Sequence, residues 1–267
     1  MTRRIRRLVK RKQRRLATHV LARLPAAALP REWSVGPPDF VGVGAQKSGT
    51  SWWYQQIVAH PEVFRPKLGM KELHFFHAKA FRELTQRDIQ RYHRLFPRPR
   101  GAITGEWTPG YMADVWTPSL LKRAAPDVRV LAILRDPIER YRSAATHNLQ
   151  FPRGGELDRD AYAMGLYHNH LRRLVHVFGR ERILVLQFER CRDDPLAELR
   201  RTYAFLGIDD SFVPPEIERV VNPAWRAMVE IPAHIVDLLR IGYSEDARGL
   251  AQDFPELDLE LWTTLAA

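Results

Sequence analysis

Residues 39–53, DFVGVGAQKSGTSWW, constrain this chain more than any other stretch. Val41 and Val43 are β-formers, and Gly42 and Gly44 leave room for other backbone to approach closely. Lys47, Ser48, Gly49, Thr50 and Ser51 then crowd donors onto the start of a helix. The first N–H groups of a helix lack intrahelical partners and sit at the positive end of its dipole, so a strand–loop–helix of this kind cradles a phosphate. Here the lysine precedes Ser48-Gly49-Thr50, whereas a Walker A loop ends Gly-Lys-Ser/Thr. That order weakens a kinase or NTPase reading and keeps a nucleotide phosphate as the ligand.

The rest of the chain alternates strands and helices. Helices are predicted over 51–59, 85–96, 118–125, 160–178 and 195–206, and in the tail best over 234–241. Strands are predicted over 62–65, 102–106, 128–134 and 183–188. The run 128–134 is apolar nearly throughout, as a central parallel strand is. Gly179 and Gly207 read as helix stops, and Pro137 and Pro195 as first-turn prolines. This pattern implies an α/β fold with a P-loop-like parallel sheet flanked by helices. A single domain over 39–267 would follow a basic, proline-punctuated arm over 1–38. Ligands of such sheets bind beyond the C-terminal strand ends. The cradle after Val43, the turn after Glu106 and Arg135 after Leu134 should therefore meet at one edge.

The chain has 267 residues and a net charge of +11, which favours acidic partners. Cys191 is its single cysteine, excluding an internal disulfide and any multi-cysteine zinc site. It also fits a reducing, cytoplasmic setting. Residues 1–24 are arginine-rich and almost free of acids. Two readings stay open for them: a solvated arm, or a peripheral helix on anionic membrane. The apolar run after Leu16 is too short and broken to span a bilayer. Basic charge without a stacking platform or a reading helix does not point to nucleic acid.

Two further segments carry chemistry. Lys71-Glu72-Leu73-His74-Phe75-Phe76 sets ionisable side chains beside two aromatics, and Arg135-Asp136-Pro137-Ile138-Glu139-Arg140-Tyr141-Arg142-Ser143 sets an arginine and a serine where they could grip a second phosphate. Together with the cradle they resemble the sulfotransferases that use 3′-phosphoadenosine 5′-phosphosulfate (PAPS), closest to the branch of heparan sulfate N- and O-sulfotransferases. QKSGTSWW resembles the 5′-phosphosulfate loop and RDPIERYRS the 3′-phosphate site. Residues 71–76 resemble a Glu-x-His-Phe-Phe segment of that branch, 106–111 a Glu-Lys-Ser/Thr-Pro-x-Tyr segment, and 166–171 a further one. The likeness runs over 40–207.

The resemblance implies sulfuryl transfer from PAPS to an acceptor hydroxyl, on a carbohydrate or glycolipid, with no metal. Lys47 would serve the bridging oxygen. Ser48, Gly49, Thr50, Ser51 and Trp52 would hold the 5′-phosphate end, and Arg135 and Ser143 the 3′-phosphate. Glu72 would be the general base, its pKa raised against Phe75 and Phe76, with His74 as second candidate. Thr108, Pro109, Tyr111 and His170 would join Glu72 and His74 at the acceptor. Trp107 stands where the branch carries a lysine, and the cysteine pair that staples the branch's C-terminal PAPS loop is absent. That loop would lie near 222–226, with Arg226 as its cation. The rival readings are a P-loop nucleoside or sugar kinase, and a non-catalytic binder of anionic lipid or nucleic acid.

Overall fold

The computed structural model describes residues 30–65, 71–148, 157–217 and 229–266. Residues 1–29 of the basic arm, and Arg226, lie outside the described residues. The strands are β1 (Trp33–Val35), β2 (Phe40–Gly44), β3 (Pro97–Pro99), β4 (Gly105–Trp107), β5 (Arg129–Leu134) and β6 (Ile183–Gln187). The helices are α1 (Thr50–Val58), α2 (Gln86–His93), α3 (Thr117–Ala124), α4 (Pro137–Asn148), α5 (Arg159–Ala163), α6 (Tyr167–Phe178), α7 (Phe188–Asp193), α8 (Pro195–Leu206), α9 (Ala233–Asp253) and α10 (Thr263–Ala266).

Four strands form a parallel sheet in the order β4-β2-β5-β6. Successive side chains point to opposite faces of a strand, and both faces here are covered. Val41, Val43, Val130, Ala132 and Leu134 pack with Tyr92, Leu121, Leu171, Leu174 and Leu250 of α2, α3, α6 and α9. Phe40, Leu131, Ile133 and Leu186 pack with Trp53, Ile57, Leu199, Tyr203 and Leu206 of α1 and α8. Each fully buried side chain of this size stabilises the fold by about 1.5–3 kcal/mol relative to exposure.

The order of strands creates a crevice. The chain leaves β2 through α1 towards β4 on one side, and leaves β5 through α4 towards β6 on the other. β2 and β5 are neighbours, so their outgoing loops diverge, and a parallel sheet binds its ligand at such a switch point. The N–H of Ala45 donates to the carbonyl of Ile133 at 2.8 Å, which fastens the start of one loop to the end of the other strand.

Several sequence expectations are corrected. Residues 62–65 form no strand; Val63 makes a single parallel bridge to Ile103. β1 lies inside the stretch read as a proline-punctuated arm and pairs antiparallel with β3, so the folded part starts before Asp39. The helix expected over 160–178 is two, broken at 164–166, where a Cβ on Gly165 would sit 2.5 Å from the Tyr243 hydroxyl. Phe188 opens α7 instead of ending β6. The side chains of Trp107 and Met112, not backbone, crowd Gly42 and Gly44. The end of α8 is as expected: Gly207 has φ 68° and donates its N–H to the Tyr203 and Ala204 carbonyls.

Candidate active site

The cradle comes directly after β2. Lys47 and Gly49 both take the left-handed conformation, at φ 71° and 80°. For lysine this costs about 1–2 kcal/mol, a strain that surrounding structure must hold in place. Gly49 precedes α1 with no side chain capping the helix, and a Cβ there would meet the Phe188 ring at 2.7 Å. Ser48 Oγ is fully buried and makes no hydrogen bond of good geometry; the neighbouring Tyr167 hydroxyl donates to the Arg135 carbonyl at 2.9 Å. An orphaned hydroxyl under a helix N-terminus fits an incoming phosphate. Thr50 is also buried, and its Oγ1 accepts from Lys71 Nζ at 2.9 Å. Trp52 is buried, with its indole N–H on the Ile217 carbonyl at 3.3 Å, so it builds the wall and offers no donor to the nucleotide.

Arg135 leaves the end of β5 across the crevice. Its guanidinium carbon lies 5.1 Å from the centre of the Phe188 ring, and Nη2 lies 3.5 Å from Glu139 Oε2. Phe188 thus lies against both sides of the crevice, beside Gly49 and under the Arg135 guanidinium. Ser143 lies on α4, partly exposed. Asp136 Oδ1 caps α4 by accepting from the N–H groups of Ile138 and Glu139. Its other oxygen accepts from the N–H groups of Thr264 and Leu265.

The loop over 71–77 supplies the third part. Glu72 Oε1 lies 3.2 Å from Lys71 Nζ, and Oε2 lies 3.3 Å from His74 Nε2. Burial would raise the Glu72 pKa, but the His74 hydrogen bond and the Lys71 charge outweigh it and draw it down to about 2. The expected raised value is therefore wrong. Phe75 packs with Tyr92, and Phe76 with Tyr92 and Tyr111. His74 Nδ1 lies 3.0 Å from His77 Nδ1, and His77 Nε2 lies 3.1 Å from Asp114 Oδ2. The chain Glu72–His74–His77–Asp114 has a carboxylate at each end. Satisfying both ends and the contact between rings takes three N–H hydrogens on two imidazoles.

Glu106 fixes this loop. It is fully buried in the middle of β4, accepts from Thr108 Oγ1 at 2.6 Å and Tyr92 OH at 2.8 Å, and takes the Leu73 N–H at 3.1 Å. Burial pushes its pKa up to about 7, against the pull of those hydrogen bonds. Thr108 Oγ1 also accepts from the N–H groups of Leu73 and His74, and Tyr111 OH from Phe75. Thr108, Pro109 and Tyr111 were expected at the acceptor. All three are buried, and the polar atoms of Thr108 and Tyr111 hold backbone.

His170 is likewise a packing residue. It is buried, bonds the Ala163 carbonyl through Nε2 at 2.9 Å, and takes Arg173 Nη2 on Nδ1 at 2.8 Å, tying α6 to α5. Burial lowers its pKa to about 4. The sequence reading named the segments that hold Lys71 and Glu106 but gave neither residue a role, and it passed over His77 and Asp114, which had no local signal.

The comparisons with known proteins agree with this geometry. A family model described as the sulfotransferase domain matches residues 37–225, which takes in the cradle, the loop over 71–77, β4 and Arg135. The mouse heparan sulfate glucosamine 3-O-sulfotransferase 3A1 is 30% identical over 199 residues, 68% of this chain and 49% of that protein. The mouse heparan sulfate glucosamine 3-O-sulfotransferase 6 is 30% identical over 209 residues, 71% of this chain and 59% of that protein. The chain spans about half the length of the curated relatives it matches. Among solved structures, a sulfotransferase from Alicyclobacillus acidocaldarius superposes with a TM-score of 0.67 at 26% identity, over 86% of this chain and 100% of the other. The sulfotransferase domain of a Synechococcus olefin synthase, at a TM-score of 0.52 and 14% identity, shares the fold. With the crevice, the phosphate cradle and the arginine opposite it all inside the matched residues, the chain belongs to the sulfotransferase domain family.

Proposed function

We propose that this protein transfers a sulfuryl group from PAPS to a hydroxyl of a carbohydrate acceptor. The observation that carries the reading is the crevice between β2 and β5, with the cradle of Lys47, Ser48, Thr50 and Ser51 on one wall and Arg135 on the other. Two anion sites facing each other at one switch point suit a nucleotide phosphorylated at two separated positions. The donor supplies an activated sulfuryl group. Ser48 Oγ and the α1 N-terminus bind its 5′-phosphate, Lys47 neutralises charge on the departing oxygen, and Arg135 with Ser143 binds the 3′-phosphate. Glu72, ionised and held by His74, accepts the acceptor's hydroxyl proton.

The carbohydrate acceptor is favoured by the names of the relatives, which act on heparan sulfate glucosamine. It is also favoured by an open groove of about 480 Å³, lined by Val115, Asn169, Arg172, Arg173 and His176, which begins one residue beyond Asp114. Its cations suit a sulfated or carboxylated chain.

Titration calorimetry with the product nucleotide, 3′-phosphoadenosine 5′-phosphate (PAP), against ADP tests the donor. Labelled PAPS with a panel of sulfated, carboxylated and neutral oligosaccharides, read by mass shift, tests the acceptor. PAP should bind more tightly than ADP, and anionic oligosaccharides should gain sulfate. Equal affinity for PAP and ADP would refute the donor, and labelling confined to non-carbohydrate hydroxyls would refute the acceptor.

A further inference from the structure

Lys71 lies between the two halves of the proposed chemistry. Its side chain is 13% exposed, and its Nζ donates to Thr50 Oγ1 at 2.9 Å, Ser51 Oγ at 3.1 Å and Glu72 Oε1 at 3.2 Å. An ammonium has three hydrogens, and these three contacts use them all. Two go to the first turn of α1, where the donor's phosphate belongs, and one goes to the carboxylate that takes the acceptor's proton. The backbone is fixed as well, since the Lys71 carbonyl accepts from the Trp107 N–H at 2.7 Å. Trp107 itself is fully buried with its indole N–H on the Gly44 carbonyl at 3.2 Å, so it has no donor to offer the crevice.

The group in flight must pass between the phosphate it leaves and the hydroxyl whose proton is removed. The Lys71 ammonium stands in that interval. We infer that Lys71 is a further catalytic residue, which contacts the peripheral oxygens of the transferring sulfuryl group. The inference rests on the donor reading above. In the step, the acceptor oxygen forms a bond to sulfur as the bond from sulfur to the 5′-phosphate oxygen breaks. The acceptor proton passes to Glu72, and the departing nucleotide carries the added negative charge. Lys71 makes and breaks no covalent bond. It stabilises charge spread over the sulfuryl oxygens, as fixed cations do in phosphoryl transfer. As its ammonium turns from Glu72 to those oxygens, the carboxylate loses a cation that holds its proton affinity low. Donor arrival and activation of the base are thereby linked through one side chain.

Lys71→Met in the full chain tests this. Losing one fixed donor to developing charge lowers kcat by about 10²–10³-fold. PAP lacks the sulfuryl group, so its affinity should stay within a factor of about 3, well under the tenfold of 1.4 kcal/mol. The acid limb of the kcat/KM profile should move to higher pH whatever the lysine's role, because its removal frees Glu72 from a cation 3.2 Å away; the fall in kcat at constant PAP affinity is what separates contact with the sulfuryl group from a merely structural lysine. Lys71→Gln, which keeps a donor to Thr50 and Ser51 without charge, carries the same test if thermal melting shows Lys71→Met unfolded. Unchanged kcat in either folded variant overturns the inference. So does a loss of PAP affinity equal to the loss of kcat, which would put the ammonium on the phosphate. A wild-type chain with no preference for PAP over ADP refutes the donor reading instead, so the two failures are distinguishable.

Discussion

Glu72 holds its charge because His74 and Lys71 flank it, and this fixes what pH should do to the reaction. A base must be ionised to act. With its pKa drawn down to about 2, Glu72 is ionised in the free enzyme across any usable range. The profile of kcat/KM reports the free enzyme, so it should show no loss from this group above about pH 4. A limb at ordinary carboxylate pH would contradict the arrangement. Glu72→Gln should abolish labelled transfer while PAP affinity stays near normal, since the carboxylate touches no part of the cradle except through Lys71. Lys47→Ala should cost both turnover and PAP affinity. Lys47 and Arg135 stood out because each follows closely on a strand end, where local signals are strong, whereas Glu72 stood out only through the resemblance of 71–76 to a family segment. The environment of Glu72 was not legible. It depends on Lys71 reaching Thr50 and Ser51, 20 residues away in sequence, and on which way Phe75 and Phe76 turn.

At the scale of elements, the loop over 71–77 takes its shape from β4 and the turn after it. Tyr111→Phe removes the acceptor of the Phe75 N–H, at 2.7 Å, and leaves a half-buried donor unmet. The expected cost is about 1–3 kcal/mol in denaturant unfolding, with kcat falling although Tyr111 touches no substrate. Gly49→Ala should do the same to the other wall. Its φ of 80° disfavours any side chain, and a Cβ would collide with Phe188, the ring that also underlies Arg135. PAP affinity is the readout, and an unaffected Kd would show that the cradle tolerates rebuilding.

β2 with α1, and β5 with α4, were readable from their apolar runs and from the helix-start residues just beyond each strand. The break at 164–166 was not; the residue that leaves no room for a side chain at Gly165 is Tyr243, nearly 80 residues on. β1 was hidden for a similar reason. Three residues in a proline-rich stretch become a strand only when β3 arrives to pair with them.

Over the whole molecule, two buried groups set opposing pH ramps. Glu106 has a folded pKa of about 7 against 4.5 unfolded. Between those values the folded chain binds more protons, so stability falls as pH rises. His170 has a folded pKa of about 4 against 6.5. Between those values the unfolded chain binds more protons, so stability falls as pH drops. Each ramp is worth up to about 3 kcal/mol, and over pH 4.5–6.5 they oppose each other. The two contributions should therefore nearly cancel in that window, leaving the wild-type slope to the other buried carboxylates with raised pKa values, Glu189, Glu198 and Asp246. Glu106→Gln should expose a steep acid loss, and His170→Phe a loss on going alkaline. Identical melting curves for all three would show that neither group is buried in the folded state.

Thr264 and Leu265 reach back from α10 to Asp136, the residue after Arg135, and Trp262 donates to Glu189 at 3.2 Å. Residues 262–265 are thus a latch on the segment that carries Arg135, far from it in sequence. Replacing Thr264 by proline, which removes the N–H that Asp136 holds, would slacken the grip on the nucleotide's 3′ end without altering any residue that touches it. A saturating nucleotide, in return, should slow hydrogen exchange at the N–H of Leu265.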